Sequence, residues 1–249
     1  MSDPIRPRYD RNMPMVFPAQ GLWLFQGDSI TDAARARGDV RCLGQGYAAR
    51  VAERLRELHP DADHRFLNRG CSGHRARDLV ARWSEDCLDW QPAVVSLLIG
   101  VNDTWRRYDR QDPTPVESFA AQVDHLLDRV RRRTAAHLMV LEPFLLPVRD
   151  GQEAWREDLD PKRTALRELA AHHGATWIPL QSVLDRAAAH GHAADWLHDG
   201  VHPTPFGHSL IAAEILSRVA VPPVERCTIE PTRSTIVHTG NLVAGPAMR

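Results

Sequence analysis

Ser29 follows the apolar run Leu22-Trp23-Leu24-Phe25 after a break at Gly27-Asp28, and a helix-forming segment comes next. A continuous apolar run of that length reads as a buried parallel strand. Ser29 therefore falls at the carboxyl end of a strand, the edge where open α/β sheets hold their sites. A nucleophilic serine needs a base within hydrogen-bond reach and a third group to orient the base. The segment Trp196-Leu197-His198-Asp199-Gly200-Val201-His202-Pro203-Thr204 can supply both. Gly200 breaks the backbone and Pro203 biases His202 away from helical geometry, so Asp199 and His202 share a turn. Asp199 can then take the Nδ1 proton of His202 and leave Nε2 facing a serine.

His198, Asp199, His202 and His208 also raise a metal reading. His198 and His202 have the spacing of a helical zinc pair, but Gly200 and Pro203 oppose a helix there. No HExxH accompanies them and no cysteine is near, so no metal and no cofactor is expected.

Acyl transfer also needs donors for an oxyanion. Gly70, in Asn68-Arg69-Gly70-Cys71-Ser72-Gly73, can turn its N–H into a pocket unobstructed by a side chain. The Asn102 amide, in Ile99-Gly100-Val101-Asn102-Asp103, can donate beside the Ser29 N–H. Both segments follow strand candidates, which places them at the same sheet edge as Ser29.

The elements that must position these residues alternate along the chain. Tyr47, Val51, Leu55 and Leu58 mark a helix; His64 to Asn68 is a strand; Leu79, Val80 and Trp83 lie on a helix. Ala93 to Ile99 is the clearest strand and reads as the sheet centre. Phe119, Val123, Leu126, Leu127 and Val130 form a helix ended by Arg131-Arg132-Arg133, a solvated cationic end. His137 to Leu141 is a strand, Leu166, Leu169 and Ala170 lie on a helix, and Ala175 to Leu180 is a last strand. Leu210, Ile211, Ile215 and Val219 form a closing helix. Segment 144–159, polar and irregular and bounded by Pro147 and Pro161, is expected to be a mobile loop over the site. The pattern predicts an α/β fold with a parallel sheet covered on both faces.

With 249 residues, one large domain is the simplest organisation. It divides into an extended N-terminal segment 1–20, a catalytic body 21–220 and a tail 221–249. The tail is either a free terminus or an oligomerisation arm. A net charge of -1 with both signs interspersed leaves no footprint for nucleic acid or an anionic membrane. Cys42, Cys71, Cys87 and Cys227 lack CxxC pairing and read as free thiols of a reducing compartment. The first twenty residues have no apolar core and no run is long enough to span a bilayer, so a cytoplasmic location is expected unless an export signal precedes.

Four blocks in order, Gly27-Asp28-Ser29-Ile30, Gly70, Gly100-Val101-Asn102-Asp103 and Asp199-Gly200-Val201-His202-Pro203, resemble those of the GDSL or SGNH hydrolase superfamily. The resemblance covers about residues 20–218, with Ile30 in place of the leucine of the superfamily's name. It implies a flavodoxin-like α/β/α sandwich with Ser29 as nucleophile, His202 as general base and acid, and Asp199 as its orienter. It also implies an oxyanion hole of the Ser29 N–H, the Gly70 N–H and the Asn102 side chain. The segments Gly46-Tyr47, Asp78-Leu79, Trp83 and Ile99 to Arg106 are similar to the acetylxylan-esterase-like branch, whose members often form homo-oligomers. That branch implies hydrolysis of short acyl esters, above all acetyl groups on xylo-oligosaccharides or other sugars. Trp105, Trp196 and Asp28 are candidate substrate contacts. A broad carboxylesterase, a thioesterase, a lysophospholipase and a silent binding protein remain alternatives on the same scaffold. The α/β-hydrolase elbow G-x-S-x-G is absent: Thr31 stands two residues after Ser29, and Ser72 lies in Gly70-Cys71-Ser72-Gly73.

Overall fold

The computed structural model describes residues 15–18 and 20–220. Strand β1 (Met15–Val16) precedes β2 (Gln20–Gly27), the single turn α1 (Ser29–Asp32), helix α2 (Tyr47–Leu58) and strand β3 (Asp63–Asn68). Then come α3 (Ala76–Asp86), β4 (Val94–Leu98), α4 (Val101–Arg110), α5 (Val116–Arg133) and β5 (His137–Leu141). The chain closes with α6 (Arg156–His172), β6 (Thr176–Ile178), α7 (Leu180–Ala188), α8 (Ala193–Trp196), α9 (Pro205–Leu216) and β7 (Val219–Ala220).

Five strands form one parallel sheet in the order β3-β2-β4-β5-β6. That is the doubly wound, flavodoxin-like order, with its switch point between β2 and β4. Period-2 alternation sends Trp23, Phe25, Val94 and Leu98 into one core with α2, α7 and α9. Leu22, Leu24, Val95 and Leu97 enter the other, against α3, α5 and α6. The result is the expected α/β/α sandwich, with β2 and β4 buried on both faces.

Several expectations change. Segment 144–159 is not a free loop: Phe144, Leu145 and Leu146 are buried, a 3₁₀ turn spans Gln152–Trp155, and α6 begins at Arg156. Pro161 does not bound this segment but lies inside α6, where it forgoes one intrahelical donor while Leu159 and Leu166 anchor the helix in the core. Val219 belongs to β7 rather than the closing helix, and β7 pairs in parallel with β1. Residues before Gly21 therefore include part of the body: Phe17 is fully buried, 5.4 Å from Trp23 and 4.5 Å from His64 by ring centroid. Arg131 is not a solvated helix end, since its guanidinium donates to the carbonyls of His173 and Gly174. The tail 221–249, with Cys227, lies outside the described residues; Cys42, Cys71 and Cys87 are free thiols.

Candidate active site

The ends of β2, β3 and β4 and the loop before α9 converge at one edge of the sheet. Ser29 opens α1 directly after β2, and Asp28 caps that turn by accepting the Ile30 N–H at 3.0 Å. The loop 197–203 is closed by an antiparallel bridge between Leu197 and Pro203, and Gly200 sits within it at φ +90°. Its shape is held from outside: Gln152 donates to the Asp199 carbonyl at 2.7 Å, and the Leu146 N–H reaches the Gly200 carbonyl at 3.1 Å. Segment 144–159 thus buttresses the site from beneath, a role its polar sequence had not suggested.

Ser29 Oγ lies 2.8 Å from His202 Nε2, and His202 Nδ1 lies 2.7 Å from Asp199 Oδ2. The other Asp199 oxygen accepts the N–H groups of Val201 and His202 at 3.0 and 2.8 Å. Burial alone would raise the Asp199 carboxyl, but these hydrogen bonds and the His202 charge outweigh it and hold the carboxyl far below the ordinary range. The hydrogen bond to Asp199 raises His202 above its ordinary 6.5, against the opposing effect of burial. The imidazolium that would form on taking a serine proton is therefore stabilised in place.

The oxyanion candidates are placed unequally. The Ser29 N–H is the first of a helical turn and has no acceptor within that turn. Asn102 is buried and its Nδ2 donates to the His74 carbonyl at 3.1 Å, leaving the second amide hydrogen for another acceptor. Gly70 corrects the expectation of an open N–H: it donates to Asn68 Oδ1 at 2.8 Å, so an oxyanion would have to share that hydrogen. The glycine is required on steric grounds as well, because a Cβ there would lie 2.4 Å from the Asp32 nitrogen.

A network invisible in the motifs locks these loops together. Asp32 Oδ2 accepts Arg37 at 3.0 Å, the Ser72 N–H at 3.0 Å and the Ser72 hydroxyl at 2.9 Å, while Arg35 donates to the Gly70 carbonyl at 2.9 Å. Asn68 donates to the carbonyls of Thr31 and Leu43. The helix bearing Asn102 is clamped to α6 by Arg107 on Asp158 and Glu157, and by the fully buried Lys162 of α6, which donates to Thr104 Oγ1 at 3.4 Å while pairing with Asp158 of its own helix.

One of the three candidate substrate contacts is corrected, and a second is half-buried. Asp28 is fully buried beneath the turn and presents no surface; burial pushes its carboxyl up to about 7. Trp196 packs against the core, and its carbonyl accepts the Thr204 N–H. Trp105 does lie at the site, 5.6 Å from the His202 ring and 5.4 Å from Trp155 by centroid. A cavity of about 450 Å³ opens on Ser29 and His202, walled by Ala33, Ala34, Gln45, Ser72, His198 and His208 among others. Ala33 and Ala34 both adopt left-handed φ, of 42° and 61°, which turns the chain sharply away from α1. The His202 nitrogens face Ser29 and Asp199, and His208 Nδ1 faces the Tyr47 N–H, so these histidines do not converge as a ligand set. Among the described residues no three metal-ligating side chains cluster.

A doubly wound sheet with serine, histidine and aspartate assembled at its switch point defines an SGNH-type hydrolase. The chain belongs to the GDSL-like lipase/acylhydrolase family, whose profile matches residues 25–210, and is a carboxylic ester hydrolase. It is 30% identical over 204 residues to an acetylxylan esterase of Geobacillus stearothermophilus, a match covering 79% of this chain and 92% of the relative. The solved structure of that esterase, Axe2, superposes with a TM-score of 0.74 at 30% identity, over 80% of this chain and 93% of that one. The catalytic mutants of Axe2 replace a serine, an aspartate and the histidine three positions beyond that aspartate, the same spacing as Asp199 to His202. A structure from Parabacteroides merdae described as a GDSL-like lipase matches with a TM-score of 0.79 at 33% identity, over 82% of this chain and 98% of that one.

Proposed function

We propose that this enzyme removes short acyl groups, acetyl above all, from carbohydrate esters such as xylo-oligosaccharides. The observation that carries this reading is the cavity at Ser29, whose walls are short or polar, Ala33, Ala34, Gln45, Ser72 and Pro203 among them. In the mechanism we propose, His202 takes the Ser29 proton as Oγ attacks the ester carbonyl, and Asp199 holds the ring in the required tautomer. The Ser29 N–H and the free Asn102 amide hydrogen stabilise the oxyanion, with Gly70 sharing its hydrogen. His202 then protonates the departing alcohol, and the same base activates water to release the acid from the acyl-enzyme. None of these steps draws on a cofactor. The acetylxylan-esterase relative supports the sugar assignment, and Trp105 beside His202 gives a sugar ring an aromatic face. The three free thiols support a cytoplasmic site of action, and no described helix is long and apolar enough to cross a membrane.

A chain-length series of p-nitrophenyl esters beside acetylated xylo-oligosaccharides tests the proposal. The rate is expected to peak at the acetyl ester, with the acetylated sugars also hydrolysed. A maximum at about eight carbons or longer overturns the carbohydrate reading and favours a lipid ester.

A further inference from the structure

His208 stands in the cavity wall without a part in the proton transfers, and its geometry is fully specified. It lies on the first turn of α9, and its Nδ1 accepts the N–H of Tyr47, the first residue of α2, at 3.2 Å. The same edge of the ring is pressed on Gly46: a Cβ added there would lie 2.9 Å from His208 Cε1 and 3.1 Å from Nδ1. Tyr47 stacks nearby at 6.4 Å between centroids, 28° from coplanar. With the Nδ1 and Cε1 edge turned into the protein, the Nε2 edge is the one left to the cavity that His208 lines. A neutral imidazole that accepts at Nδ1 carries its hydrogen on Nε2.

The ring is also kept neutral. Burial pushes it down to about 4, and the neighbouring Arg50, His198 and His202 act in the same direction. It therefore presents one fixed hydrogen-bond donor at any pH where the enzyme would work. A donor of fixed direction in a cavity wall is suited to an oxygen of the substrate, and it is left unpaired by an alkyl group. An acetyl group alone is far smaller than a cavity of about 450 Å³, so the alcohol part of the ester must share that space.

We propose that the His208 Nε2–H donates to a hydroxyl or ring oxygen of the alcohol moiety and selects oxygen-rich alcohols over hydrocarbon ones. The inference rests on the acetyl-ester reading above and names the residue that makes it selective. Ser72 and Gln45 also line the cavity, adding polar groups beyond the catalytic ones.

The test compares two acetyl esters that share the acyl-enzyme and differ in the alcohol ring: an acetylated methyl xyloside and cyclohexyl acetate. The quantity read is the ratio of their kcat/KM values. In His208→Phe that ratio is expected to fall about tenfold, chiefly through KM of the sugar ester. His208→Asn keeps an acceptor for the Tyr47 N–H while withdrawing the distal donor from the cavity. It should fold and show the same loss of ratio, even if the phenylalanine variant does not fold. A ratio unchanged in His208→Asn, with both esters slowed alike, means that His208 only caps α2 and overturns the inference. Wild-type enzyme that prefers cyclohexyl acetate overturns it too. Wild-type inactivity on both acetates overturns the acetyl-ester reading and this inference with it, a result distinguishable from failure of the His208 assignment alone.

Discussion

Two histidines six residues apart face one cavity and are tuned in opposite directions. His202 sits on a tight loop with Asp199 at 2.7 Å, which lifts its proton affinity. His208 sits on the first turn of a helix, half-buried against Gly46 and Tyr47, and is held neutral. The difference lies in the surroundings: the Asp199 carboxylate makes one ring a base, whereas burial, with Arg50, His198 and His202 nearby, keeps the other neutral and the Tyr47 N–H at Nδ1 leaves its hydrogen on Nε2. In the mechanism and the inference proposed above, the same side-chain type serves proton transfer at one position and recognition at the other.

The largest break in this contrast comes from Asp199→Asn. Without the carboxylate, His202 loses the hydrogen bond that raises it and the group that fixes its tautomer. By analogy with triads on other folds, kcat should fall on the order of ten-thousandfold. The pH profile sharpens the point. The base must be neutral to act, so wild-type kcat/KM should rise with pH through a midpoint above 6.5, the ordinary histidine value. In the variant the midpoint of the residual activity should move down. An unchanged midpoint would show that His202 does not govern the acid limb.

A smaller effect is expected from Asp28→Asn. Asp28 raises His202 through its charge, and it is not among the groups that shift His208. The variant should thus lower the acid-limb midpoint slightly. It should also change stability with a definite sign. The buried carboxyl holds its proton up to about 7 against 3.8 in the open chain, so between those values the folded state binds more protons than the unfolded one. Stability is then lost as pH rises through that window. Asparagine can keep the cap on Ile30 without that penalty. Melting temperature should be near wild type at pH 4 and higher by about 2–4 °C at pH 8. An equal difference at both pH values would contradict a protonated Asp28.

The fold was legible because its strands are apolar and alternate with amphipathic helices. The runs at Leu22 to Phe25 and Ala93 to Ile99 read as buried strands, and they pair side by side within the sheet. Ser29, Asp199 and His202 were legible because glycine and proline punctuate their turns. What escaped depends on contacts distant in sequence. Segment 144–159 read as a loop because Pro161 looked like a boundary, yet burial of Phe144, Leu145 and Leu146 decides its shape. The pairing of Met15 with Val219 joins the two ends of the described chain, and two-residue strands leave no periodicity to detect. Gly70 was read for its missing side chain, whereas the competitor for its N–H, Asn68 Oδ1, is fixed only once Asn68 also binds Thr31 and Leu43. Gln152 and Asp32 gave no signal, since a lone amide or carboxylate in sequence does not reveal which backbone it will hold. His208 was weighed only as a metal ligand; the Gly46-Tyr47 pair that receives it lies 161 residues away.

Whether His202 activates Ser29 can be read from covalent labelling with a fluorophosphonate followed by peptide mapping. Modification is expected at Ser29 alone, slowed on the order of a hundredfold or more in His202→Ala, because the serine hydroxyl is a weak nucleophile without its base. Labelling at Ser72 in its place, no labelling, or a His202→Ala rate equal to wild type would contradict it.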